Sequence, residues 1–164
     1  MLFRSLLLDD EVIEQQPDQA ALTARFVSEG VRFMRENRER PFFLYLAHIY
    51  VHLPIYVQEQ FAVASTNGAY GAAVASIDWA AGVLLDELRT LGLGEHTIVI
   101  FTSDNGSRAR DEGGSNAPLR GVKGQTWDGG MRVPLIVRWP GVVPAGSVSS
   151  ELVGSRSEEH TSEL

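Results

Sequence analysis

Along this chain, apolar residues recur at spacings of three and four in two stretches and run without interruption in three others. Over residues 18–37, Leu22, Phe26, Val27, Phe33 and Met34 fall near one face, with arginines and glutamates on the other, so an amphipathic helix is predicted. Pro41 closes that pattern and opens PFFLYLA, residues 41–47, an apolar run of strand length. A run without alternation predicts a strand buried on both faces, as in a parallel sheet. A polar loop over 48–69 follows. Ala73, Ile77, Ala80, Leu84, Leu88 and Leu91 then mark a second helix, ended by Gly92 and Gly94. TIVIFT (97–102) and VPLIVRW (133–139) are the other two predicted strands, separated by a glycine-rich polar segment over 103–131. The order helix, strand, helix, strand, long loop, strand predicts an α/β domain: a mostly parallel sheet with helices on both faces. In such sheets ligands gather beyond the carboxyl ends of the strands, which directs attention to the residues after Ala47 and after Thr102.

Composition narrows the chemistry. The 164 residues carry 14 basic and 21 acidic side chains, a formal net charge of -7. That balance argues against nucleic acid as a partner, which needs a basic face. Zero cysteines exclude disulfides, thiolate metal sites and a cysteine nucleophile within these residues. No uninterrupted apolar run approaches the roughly 18 residues of a membrane span, so none is expected. Thirteen of the 14 basic residues are arginine, and the single lysine is Lys123.

Both ends read as foreign. RSEEHTSEL, residues 156–164, is polar and aperiodic and resembles a translated sequencing adapter, and MLFRS, residues 1–5, resembles its reverse complement. The expectation is an authentic segment over 6–155, part of a catalytic domain that continues past both ends. The acidic balance survives without the ends, and His160 drops out as a candidate.

After the second strand comes Ser103-Asp104-Asn105-Gly106. A carboxylate and an adjacent amide oxygen on a loop suit a hard cation such as Ca²⁺ or Mg²⁺. On those residues alone an Asx turn is the more economical reading. After the first strand comes HIYVHLP, residues 48–54. Pro54 argues against a helix that would bring His48 and His52 onto one metal, so no zinc site is expected. His52, in the loop, can instead donate to an anionic substrate or act as a general acid, while His48 sits nearer the strand as a supporting residue. In the long loop, Gly121 and Gly124 flank Lys123, a point cation suited to a tetrahedral oxyanion. An exposed lysine on a flexible loop is the plain alternative. Arg120 and Arg132 are expected to pair with Asp128 or Glu112 in a structural network.

PFFLYLAHIYVHLP, YGAAVASIDWAAGVLLDELRTLGL, TIVIFTSDNG and SNAPLRGVKGQTWDGGMRVPLIVRWPG resemble, in order, successive segments of the sulfatase family, nearest the arylsulfatases, within the alkaline phosphatase superfamily. The resemblance implies an alkaline phosphatase-like fold and hydrolysis of sulfate esters on small molecules or glycans. It implies Ca²⁺, favoured over Mg²⁺, and a formylglycine made from Cys or Ser. By motif, Asp104 and Asn105 correspond to downstream Ca²⁺ ligands, His52 to the histidine that touches sulfate and protonates the leaving oxygen, and Lys123 to the sulfate-binding lysine. His48, Arg120, Asp128 and Arg132 would support them. Gln125 and Asp128 depart from the family's usual Thr and Glu. The C/S-x-P-S-R nucleophile motif is absent, and Leu6–Asp10, LLLDD, resembles the missing metal-binding Asp-Asp strand only superficially, because EVIEQQP follows at once. The expectation is an internal part of a catalytic domain, inactive alone, from a periplasmic or secreted parent. A phosphodiesterase or phosphonate hydrolase of the same superfamily, and a catalytically dead relative that binds sulfated glycans, are the competing readings.

Overall fold

The computed structural model describes residues 5–154; the expectations for residues 1–4 and for 155–164, His160 included, lie outside them. Two helices make the core. A 3-10 turn at Gln19–Ala21, capped by the Asp18 carboxylate on the Ala20 amide, leads into α1, Leu22–Glu36. The buried residues of α1 include Leu22, Val27, Gly30 and Met34, close to the predicted face. A short helix α2, Glu59–Ala64, falls within the stretch read as loop, and α3, Gly68–Thr90, corresponds to the second predicted helix. At the end of α3, Gly92 adopts φ 72°, a left-handed conformation that glycine enters without a Cβ clash.

Helix α3 packs on α1 and α2. Its buried residues Ala72, Ala73, Ser76 and Ala80 are short, which lets helix backbones approach closely. Arg35 of α1 reaches Glu87 of α3 with two hydrogen bonds of 2.8 Å. These bonds hold the nearly buried Glu87 carboxyl below its ordinary range, although burial opposes them. By length and a mean hydropathy of 1.3, α3 is apolar enough to cross a membrane. In this fold it serves as a packing helix beside α1.

The strands depart from the parallel-sheet expectation. An N-terminal hairpin absent from the pattern reading pairs β1, Ser5–Leu8, with β2, Glu11–Gln15, around Asp9 at φ 52°. LLLDD is thus a strand running into a turn. β3, Val99–Thr102, pairs antiparallel with β4, Leu135–Arg138, and each sheet has two strands among the described residues. The segment 41–47 forms no regular element and joins no sheet among the described residues. Nor is it buried on both faces. Phe42 meets Phe33 edge-on at 5.7 Å and Leu44 approaches Gly30, whereas Phe43 and Tyr45 are 85% and 79% exposed. The reason is local: one face rests on α1, and among the described residues no neighbouring strand covers the other or takes up its backbone hydrogen bonds. β4 is exposed at all four residues.

Candidate functional site

Two loops beyond β3 and before β4 meet through their backbones. The first carries Ser103–Ser107 and the second Arg120–Gly130. The Lys123 amide donates to the Ser107 carbonyl at 3.0 Å and Gly106 N–H to the Gly130 carbonyl at 3.1 Å, while Gly129 N–H closes the second loop on itself at the Arg120 carbonyl, 2.7 Å. Glycine is required at the points of contact. A Cβ on Gly106 would lie 1.9 Å from the Gly129 carbonyl oxygen, and one on Gly129 would lie 2.3 Å from that of Gly121. Gly121 itself has φ 95°, with the Trp127 side chain against it. The glycine-rich composition of 103–131 is therefore a packing requirement as much as a source of freedom.

On this scaffold Asp104 is exposed and Asn105 half-buried. No hydrogen bond of the described residues engages either side chain; within the turn the Ser103 hydroxyl donates to the Asn105 backbone carbonyl, 3.2 Å. Their oxygens are therefore not consumed by an Asx turn, and their chemistry fits part of a hard-cation shell. They do not complete one: among the described residues no group of three or more His, Cys, Asp or Glu side chains converges to hold a metal. Lys123 is half-buried, and its ammonium has no ion-pair partner among the described residues.

Of the two arginines expected to pair with a carboxylate, Arg132 does so and Arg120 does not. Arg132 pairs with Asp128 at 3.4 Å, one turn apart across the short helix α4, Asp128–Met131. Arg120 instead stacks its guanidinium 3.8 Å from the centre of the Trp127 ring, a cation–π contact within the loop that carries Lys123. Glu112 takes part in neither contact.

The histidines lie on the segment after residue 47. His52 is exposed, and its Nδ1 lies 2.7 Å from the Leu53 carbonyl, which leaves the other ring nitrogen free; no hydrogen bond joins it to either glycine loop. His48 is half-buried. Its Nδ1 is sealed from solvent without a partner, and burial lowers the imidazole pKa, favouring the neutral ring. Tyr50, between them, is buried and donates its hydroxyl to Gln19, 2.9 Å to the side-chain oxygen and 3.1 Å to the carbonyl. Tyr50 thereby pins the histidine segment to the 3-10 turn that leads into α1. The structure thus joins the Asp104–Asn105 loop to the Lys123 loop and leaves His52 on a separate support. A shallow groove between α1 and α3 is lined by Val27, Val31, Arg35 and Trp79 among others and contains none of these residues.

Pattern reading missed Asn116, which bonds to both loops. Its setting, S-N-A-P, carries ordinary turn chemistry, and only its place within the fourth motif could have drawn attention to it.

Comparison with known proteins places this arrangement in context. The sulfatase family model matches residues 5–162. The chain is similar to rat (Rattus norvegicus) steryl-sulfatase, 44% identical over 153 residues, covering 88% of this chain and 26% of that protein. It is likewise similar to rat N-acetylgalactosamine-6-sulfatase, 43% identical over 157 residues, covering 93% of this chain and 30% of the relative. Among solved structures it resembles the PsFucS1 sulfatase from Pseudoalteromonas sp., with TM-score 0.73 and 32% identity over 77% of this chain and 26% of that one. The chain therefore spans between a quarter and a third of the length of these proteins.

Proposed function

This chain belongs to the sulfatase family, and on that premise we propose that it supplies the oxyanion-holding half of a site that hydrolyses a sulfate ester of a small molecule or glycan. Asp104 and Asn105 offer oxygens to a Ca²⁺ ion, which would withdraw charge from the sulfuryl oxygens when bound. Lys123 donates to a sulfuryl oxygen and stabilises charge as the sulfur–oxygen bond to the alcohol breaks. With both ring nitrogens protonated and Nδ1–H held by the Leu53 carbonyl, His52 delivers the Nε2 proton to the departing alkoxide and is left as the neutral ring. The nucleophile belongs to a part of the sulfatase domain that this chain does not carry, so the chain alone has no turnover.

The observation that carries the reading is the bond between the Lys123 amide and the Ser107 carbonyl. It supports the proposal because it holds the sole lysine, with its ammonium unpaired, beside a loop whose two oxygen-bearing side chains are uncommitted. The test is made in a complete sulfatase domain carrying this segment, with an aryl sulfate as substrate. Lys123→Ala and His52→Ala are each expected to lower kcat by roughly 100-fold or more. A complete domain that cleaves phosphodiesters faster than sulfate esters would replace this reading with the phosphodiesterase one. Binding of sulfated glycan without any turnover would replace it with that of a binding relative.

A further inference from the structure

We propose that Asn116 is a positioning residue: its side-chain amide clamps the Asp104–Asn105 loop to the Lys123 loop and thereby sets the spacing between the cation ligands and the lysine. The loop-to-loop geometry stands on hydrogen bonds alone; its consequence for sulfate rests on the proposed function.

Asn116 Oδ1 accepts the Ser107 N–H at 2.8 Å, and its Nδ2 donates to the Ser107 carbonyl at 2.7 Å and to the Gly121 carbonyl at 3.1 Å. The amide thus grips both backbone groups of Ser107, as a neighbouring strand would, and spends its second hydrogen on the opposite loop. Only this orientation of the amide works. Flipped, it would set a donor against the Ser107 N–H and an acceptor against two carbonyls. Ser107 lies three residues after Asp104, and Gly121 two before Lys123. The Ser107 carbonyl also receives the Lys123 amide, so a single oxygen collects both tethers. Asn116 is half-buried, so water replaces these bonds poorly. Aspartate is nearly isosteric but at neutral pH has no hydrogen to give, and it would face the two carbonyls with a charged oxygen.

Amide hydrogen exchange of the whole chain tests this, comparing Asn116→Asp and Asn116→Ala with the parent. Both variants are expected to lose protection at the Ser107 and Lys123 amides by about tenfold or more, while α1 and α3 amides keep theirs. In Asn116→Asp, protection relative to the intrinsic rate should recover as the pH falls and the carboxyl gains a proton to donate. Asn116→Ala should show no such recovery. A general loss of volume would affect both variants alike at every pH, so the acid rescue separates positioning from packing. Unchanged protection at Lys123, equal loss throughout α1 and α3, or absence of acid rescue would each overturn the clamp. A parallel titration with inorganic sulfate and Ca²⁺ judges the functional reading separately. If the parent's Lys123 amide ignores both ions, the sulfatase role of this loop fails, and the exchange data still decide the clamp.

Discussion

The helical half and the strand half of this molecule are built on opposite terms. The α1–α3 layer contains its own partners: Leu22 and Met34 are each 2% exposed and Ala72 and Ala80 fully buried. The strand half presents apolar surface to solvent on residues 43 and 45, along β3 and throughout β4. Among the described residues no layer covers these apolar side chains, and a two-stranded pair is marginal in water without more strands or a packed face. The candidate site hangs from that half, at the ends of β3 and β4, and is held by glycine-mediated backbone contacts instead of a hydrophobic core. Stability and chemistry are thus carried by different parts of the chain, and substitutions should separate them.

The largest effect is expected in the helical layer. Leu22→Ala should cost about 2–5 kcal/mol in denaturant unfolding, because it opens a cavity that α1 and α3 cannot close. Gly106→Ala comes next, at about 1–3 kcal/mol, with exchange protection lost first at the Ser107 and Lys123 amides; unaltered protection there would mean the loops are not in contact. Acid titration should then expose the nearly buried Glu87 and the half-buried His48. Glu87 has a lowered folded pKa, so its pairing with Arg35 stabilises the fold above the ordinary glutamate value, about 4.3, and this contribution fades as the pH falls through the lowered one. Melting temperature against pH should show that loss in the parent and a weaker one in Glu87→Gln. His48 also has a lowered pKa, so its neutral form favours the fold, and stability should begin to fall below the ordinary histidine value of about 6.5. His48→Leu should remove that part of the profile. The smallest effect is expected from Phe43→Ser, within about 0.5 kcal/mol, since the ring is already in water. A large loss there would show that solvent does not face this strand.

What was legible in the sequence follows the same division. Three- and four-residue spacing found α1 and α3 because a helix records its buried face in a single stretch of chain. Apolar runs located 97–102 and 133–139 but could not give their direction, since pairing of Val99 with Arg138 spans a long loop. PFFLYLA reads as a doubly buried strand, and the structure gives it only one covered face; composition states what a segment would bury, not whether a partner is present. The β1–β2 hairpin escaped notice because EVIEQ carries two charges in five residues. At the site, the motifs picked out Asp104, Asn105 and Lys123, whereas the bonds of Asn116 are long-range and have no periodic signature. Arg120 was expected beside a carboxylate and lies on an indole, since cation–π stacking competes for the same guanidinium.

The account turns on whether the two joined loops form a sulfate-holding surface. Titration of the whole chain with inorganic sulfate in the presence of Ca²⁺, followed amide by amide, tests it most directly. The predicted result is a saturable response confined to residues 104–107 and 121–124, weakened by roughly tenfold in Lys123→Ala. A response centred on the arginines of α1, or one indifferent to the loss of Lys123, would contradict it.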